Sequence, residues 1–128
     1  MIVTAAVIVR DGKVLIAKRK EGKWEFPGGG LEDNETLEEC LKRELMEEMG
    51  VDVERLEKFM CVEKGGMKLH VFIARYNGNV IKKEHEAIKW VDFEEIKNYE
   101  FMDADREVVE ELRKRWNDVV DLKQRKGR

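Results

Sequence analysis

The sequence predicts an α+β fold, a mixed central sheet flanked by helices, and three observations carry that prediction. Short β-rich runs recur around turn residues, one well-capped helix interrupts them, and an amphipathic helix closes the chain. Strands that each need a covered face, with two helices to cover them, fit a sheet packed between helices. At 128 residues the chain makes one domain, expected over residues 1–122.

The elements follow in order. Residues 3–9 and 14–18 are β-rich and flank Asp11-Gly12, a hairpin signal. Trp24-Glu25-Phe26 is extended and stops at Pro27, the single proline, which keeps Phe26 out of a helix. Gly28-Gly29-Gly30 then predicts a loop whose backbone can approach a ligand closely. Thr36 with Glu39 makes a capping box and Gly50 supplies a stop, so a helix is predicted over 37–49. Residues 59–63 and 67–76 alternate around Gly65-Gly66 as a second hairpin, and Asn77-Gly78-Asn79 is a further turn. Lys89-Trp90-Val91 reads as a short strand, and Asp92 with Glu95 predicts a short capped helix to about residue 97. Val108, Leu112 and Trp116 recur at every fourth position, predicting an amphipathic helix over 104–117.

Composition narrows the partners. Charged residues are 41% of the chain yet the net charge is -3, so the signs are interspersed and broad attraction to nucleic acid is not expected. The basic stretch 123–128 is expected to be a frayed tail. No apolar run approaches the ~20 residues that span a bilayer, and the chain opens on Ile2-Val3-Thr4 without a charged leader. A cytoplasmic protein, monomeric or homodimeric, is therefore expected. Cys40 and Cys61 lack metal-like spacing and are expected as buried, reduced thiols. The Lys- and Glu-rich composition leans towards a thermophile.

The first predicted helix carries the chemistry. On a wheel of ~100° per residue, Leu37, Cys40, Leu41 and Leu45 form an apolar stripe, and Glu44 and Glu48 fall within it, each about 20° from Leu37. Glu47 flanks them. Desolvating unpaired carboxylates costs several kcal/mol, so this acidic end either opens on a cleft or is neutralised by cations. Glutamates of this density are also common as solvated faces with weak ion pairs. Arg43, four residues before Glu47, and the glycine run ahead of the helix favour a cation site. Clustered carboxylate oxygens suit hard ions such as Mg²⁺, with Mn²⁺ as a second fit.

The pattern Gly29, five residues, Glu35, seven residues, Arg43-Glu44-Leu45-Met46-Glu47-Glu48-Met49-Gly50-Val51 resembles the signature box of the Nudix hydrolases at every fixed position. The resemblance implies the family's α/β/α sandwich and hydrolysis of a nucleoside diphosphate linked to another group. It implies Glu44, Glu47, Glu48 and the carbonyl of Gly28 as metal ligands, with Arg43 orienting the glutamates. Glu35 would brace loop against helix, and Gly29 and Gly50 would serve the box structurally. The general base would be Glu44 or Glu48, or a carboxylate from a later loop, where Glu84 and Glu86 are the candidates.

Trp24-Glu25-Phe26-Pro27-Gly28-Gly29 is similar to the MutT-like branch, which implies cleavage of nucleoside triphosphates, often oxidised ones, to monophosphate and pyrophosphate. The proline and tyrosine markers of the ADP-ribose and dinucleoside-polyphosphate branches are missing after the box. Those substrates, or a nucleotide-sensing module without turnover, are the alternatives. Arg19 and Lys18 would face the substrate in this branch, or merely charge a strand edge. Asp105 matches a position that reads a base edge, and is equally placed to cap a helix N-terminus. Phe26, Phe72, Phe101 and Met102 would stack on a base or fill the core.

Overall fold

A computed structural model describes residues 1–125, with side chains described to residue 120. Eight strands and two α-helices run in the order β1 (Ile2–Val7), β2 (Val9–Arg10), β3 (Lys13–Lys18), β4 (Trp24–Glu25), β5 (Gly28–Gly30), α1 (Leu37–Met49), β6 (Asp52–Lys64), β7 (Met67–Asn77), β8 (Ala87–Asp92) and α2 (Asp103–Arg125). One sheet is mixed, in the order β5-β1-β7-β6, with β1 parallel to β7 and the other pairs antiparallel. In the second sheet β3 pairs antiparallel with β2, β4 and β8.

Alternation along the strands makes two cores. Ala5, Val7, Val14, Ile16, Leu69, Val71 and Ile73 face one side with Val108 and Leu112 of α2. Ala6, Ile8, Leu15, Ala17, Phe72 and Ala74 face the other with Leu41, Leu45 and Met49 of α1. A period of two sends successive side chains to opposite faces, so the strands sit between the helices as the predicted sandwich. Each fully buried Leu or Phe here contributes roughly 1.5–3 kcal/mol. Among the described residues no helix is long and apolar enough to cross a membrane.

Several expectations need correction. The run 3–9 is not one arm of a hairpin: it divides at Ile8, and β1 and β2 belong to different sheets. The Asp11-Gly12 turn joins β2 to β3, with both residues at positive φ. Gly28–Gly30 is a short strand on β1, not a loop. Strand β6 starts at Asp52, well ahead of residue 59, and register shifts interrupt it between Val53 and Arg55 and between Lys58 and Met60. The residues after Asp92 form a 3₁₀ helix, Phe93–Asn98, without a side-chain cap. Helix α2 passes residue 117, with a non-helical kink at Arg115. Beyond the helical backbone of 123–125, the basic stretch lies outside the described residues. Cys40 is buried, but Cys61 is exposed, because it points away from both cores on the edge strand β6.

Candidate active site

Helix α1 is held at both ends by its own sequence. The Thr36 hydroxyl accepts from Glu39 N at 3.1 Å, and the Glu39 carboxylate accepts from Thr36 N at 2.9 Å. At the far end Gly50 takes φ +64° and donates to Met46 O at 3.0 Å. A left-handed residue costs a side chain strain that glycine avoids. Between these caps the helix buries Cys40, Leu41, Leu45 and Met49, and with them Glu48, which is 5% exposed.

Arg43 organises the acidic face. Its guanidinium donates to Glu35 at 2.6 and 3.1 Å, to Glu44 at 3.0 Å, to Glu47 at 3.2 Å and to the Gly30 carbonyl at 3.2 Å. Glu35 also accepts from Glu32 N at 3.0 Å, which ties the chain ahead of the helix to the helix itself. These bonds, the one from Arg43 foremost, hold the Glu35 carboxyl below its usual range. The hydrogen bond to Glu35 is likewise the main influence keeping Arg43 protonated.

Two glycines let the β5 backbone meet the carboxylates. A methyl on Gly29 would fall within about 2.5 Å of the Glu44 carboxylate, and one on Gly28, at φ +154°, would collide with the Thr4 carbonyl. Gly29 O accepts from the Thr4 hydroxyl at 3.2 Å, which fixes β5 on β1 beside α1.

Among the described residues no Lys or Arg pairs with Glu48. Its Oε1 is buried and without a hydrogen-bond partner. Burial, then the neighbouring Glu44 and the charge of Glu25, push its carboxyl up to about 9, opposed by the Gly28 N–H. Among the described residues no three acidic, His or Cys side chains are already gathered as a metal cluster, since Glu44 and Glu47 are turned onto Arg43. The donor set nevertheless fits a divalent cation: adjacent carboxylates, one with an orphaned buried oxygen, bordered by backbone that only glycine allows.

Sequence reasoning missed two members of this cleft. Glu25, on β4, accepts from Arg19 at 3.3 Å and hydrogen-bonds His85 Nε2 at 2.9 Å. His85 belongs to the segment between β7 and β8, and its other nitrogen, Nδ1, is also buried without a partner, 3.8 Å from Glu48 Oε1. Arg19, Glu25, Glu48, Glu84, His85 and Glu86 border one depression of about 290 Å³. Both loop candidates, Glu84 and Glu86, are thus brought to Glu48, although each is exposed.

Arg19 and Glu25 also border a deeper cavity of about 520 Å³, whose lining includes Phe26, Gly28, Met102 and Asp105. Backbone bonds from Trp24 N to Glu100 O (2.8 Å) and from Met102 N to Trp24 O (2.9 Å) bind β4 to the start of α2 and so place Asp105. Asp105 is 7% exposed, and its Oδ1 accepts from Phe26 N at 2.9 Å, a bond to another element and not a helix cap. Burial raises its carboxyl to about 7 against the pull of that N–H. Phe101 stacks on Phe26 within the core, and Phe72 packs under α1, so of the four stacking candidates Phe26 and Met102 alone line the cavity.

Known proteins resemble this chain in sequence and fold. The NUDIX domain model matches residues 1–112. An 8-oxo-dGTP diphosphatase of Buchnera aphidicola (subsp. Schizaphis graminum) is 31% identical over 120 residues, covering 88% of this chain and 92% of its own length. The CTP pyrophosphohydrolase of Escherichia coli is 34% identical over 118 residues, 84% of this chain and 87% of its own. The crystal structure of a MutT NUDIX hydrolase from Burkholderia pseudomallei superposes with a TM-score of 0.80 at 30% identity, over 87% of this chain and 96% of that one. Enzymes of this family generally need a divalent metal. With the box, the sandwich and these relatives in agreement, the chain belongs to the Nudix hydrolase family, in its MutT-like branch.

Proposed function

We propose that the protein hydrolyses nucleoside triphosphates to nucleoside monophosphate and pyrophosphate, with Mg²⁺ as its ordinary ion and Mn²⁺ as a substitute. One observation carries the reading: the depression bordered by Glu48, whose buried Oε1 has no partner, shares Arg19 and Glu25 with a 520 Å³ cavity lined by Phe26 and Asp105. Glu44, Glu47 and Glu48, with the Gly28 carbonyl, would hold the ion. When bound, it would screen phosphate charge and acidify a water.

The chain's own residues supply the rest. Arg43 keeps Glu44 and Glu47 in a fixed fan, so little reorganisation is needed as charge moves. Arg19, shared by both depressions, is placed to meet a phosphate between them. In the reaction, the water oxygen bonds to one phosphorus, the bridging P–O bond breaks, and the water proton leaves to a carboxylate. Glu44 or Glu48 inside the cleft, and Glu84 or Glu86 at its rim, are the carboxylates within reach of such a water. Phe26 and Met102 give the base an apolar seat, and Asp105 presents a carboxyl to its edge. The names of the relatives favour triphosphates over ADP-ribose or dinucleotides.

A panel assay tests the reading. The common NTPs and dNTPs, 8-oxo-dGTP, CTP, ADP-ribose and a diadenosine polyphosphate are incubated with Mg²⁺, then Mn²⁺, and the products separated. Monophosphate with pyrophosphate from a triphosphate is expected. Turnover of ADP-ribose or the dinucleotide alone, or of nothing, overturns the proposal.

A further inference from the structure

The segment carrying His85 is built onto the carboxylate helix and does not merely lie near it. Ile81 N donates to Met49 O at 2.9 Å, Lys83 N to Glu48 O at 3.1 Å, and Glu86 N to Lys18 O at 2.9 Å. Two of these anchors are the last residues of α1, and one is Glu48 itself. The His85 side chain, 9% exposed, is thereby set between two carboxylates.

Its hydrogen-bonding state follows from elementary chemistry. An ionised carboxylate only accepts, so the 2.9 Å contact with Glu25 requires a hydrogen on Nε2. In the neutral ring Nδ1 then carries the lone pair, and it lies 3.8 Å from Glu48 Oε1. At that distance the two buried atoms are too far apart for a hydrogen bond, and neither has another partner. A transition-metal dication, about 2.1 Å from each atom, satisfies both at this separation. The Glu25–His85 pair has the form of a carboxylate that orients a metal-binding imidazole by holding its far N–H.

We propose that His85 Nδ1 is a nitrogen ligand that, with Glu48 Oε1, gives the cleft a position for a first-row transition dication besides Mg²⁺. The inference rests on the proposed reading of the Glu48 cleft as a divalent-cation site. Imidazole suits Zn²⁺ and its neighbours, whereas Mg²⁺ keeps to oxygen, so the two kinds of ion respond differently to loss of the ring.

The test needs no substrate. Protein labelled with ¹⁵N at histidine is titrated with Zn²⁺ and, separately, Mg²⁺, with His70 as internal reference. Zn²⁺ is expected to move the His85 Nδ1 resonance to a metal-bound position while Mg²⁺ leaves it in place. His85→Gln is expected to weaken Zn²⁺ binding at least about tenfold and Mg²⁺ binding less than about twofold. An unmoved Nδ1 at Zn²⁺ saturation overturns the proposal, as does equal weakening of both ions, which would make His85 a latch only. The wild-type spectrum decides the matter even if the variant does not fold. Ligation of Nδ1 without hydrolysis of any triphosphate would sink the proposed activity and leave this site standing. Hydrolysis with Mg²⁺ and an unmoved Nδ1 would do the reverse.

Discussion

Asp105→Asn isolates what a buried acid does to stability. The carboxyl is 7% exposed and raised from 3.8 to about 7, chiefly by burial. The folded protein therefore keeps this proton to a higher pH than the unfolded chain does. Ionisation of the unfolded chain draws the equilibrium away from the fold as pH rises above 3.8, and the loss levels off above about 7. Linkage gives about 2 kcal/mol lost by pH 5 and about 4 kcal/mol by pH 8. Asparagine keeps an oxygen for the Phe26 N–H and carries no charge, so the variant lacks this pH dependence. Urea unfolding of both proteins at pH 5 and pH 8 measures it. The stability of Asp105→Asn relative to wild type should rise by about 2–3 kcal/mol between the two. Glu48 and every other titrating group are common to both chains and cancel. A difference that does not change with pH refutes the reasoning. Asp105→Ala also loses the titrating carboxyl but leaves the buried Phe26 N–H unpaired, so it should be about 1–3 kcal/mol less stable than Asp105→Asn at either pH.

The other changes separate turnover from folding. Glu48→Gln removes a buried carboxyl raised to about 9, which at pH 8 must hold a proton that the unfolded chain releases, so it should raise the melting temperature of the metal-free protein at pH 8 while cutting turnover at least about a hundredfold. Glu47→Gln, at a half-exposed side chain, should cut turnover similarly with little effect on melting. Near-normal turnover of either variant at saturating Mg²⁺ would falsify its place among the metal ligands. Gly29→Ala puts a methyl into the Glu44 carboxylate and should displace it from Arg43, lowering turnover at least about tenfold, as steady-state kinetics would show. Unimpaired kinetics in that variant would mean that the carboxylate's position against β5 does not matter.

What the sequence made legible was whatever depends on neighbours along the chain. The ends of α1 follow from Thr36, Glu39 and Gly50 within one helical turn of the backbone they cap, and the predicted and observed bounds coincide. The placing of Glu44 and Glu48 in the helix's inward stripe is likewise a matter of rotation per residue. Strand partners are different. Nothing local in residues 3–9 says that the chain leaves one sheet and joins another at Ile8, because both halves are equally β-forming. The glycine run shows the same limit: freedom at each residue suggests a loop, while the pairing of Gly28, Gly29 and Gly30 with Ala5, Thr4 and Val3 is set by a strand more than twenty residues away.

The site divides along the same line. Arg43 and its glutamates lie within one box, so their pairing could be read from spacing. Asp105 reaches Phe26 N only because Trp24 pairs with the residues on either side of Phe101. Asp105 does sit in the first turn of α2, as an acidic N-terminal partner would, and the bond from Phe26 N adds a contact that this position alone does not reveal. His85 is the most instructive case. Flanked by Glu84 and Glu86, it offers no periodicity, no motif spacing and no apolar neighbour to mark it as interior. Its burial is imposed by two backbone bonds to the end of α1 and one to β3, contacts between segments some thirty to seventy residues apart. A lone histidine in an acidic stretch is ordinarily a solvated residue. Here three elements close around it, one carboxylate takes its N–H, and the remaining nitrogen lies 3.8 Å from the one buried carboxylate oxygen without a partner among the described residues.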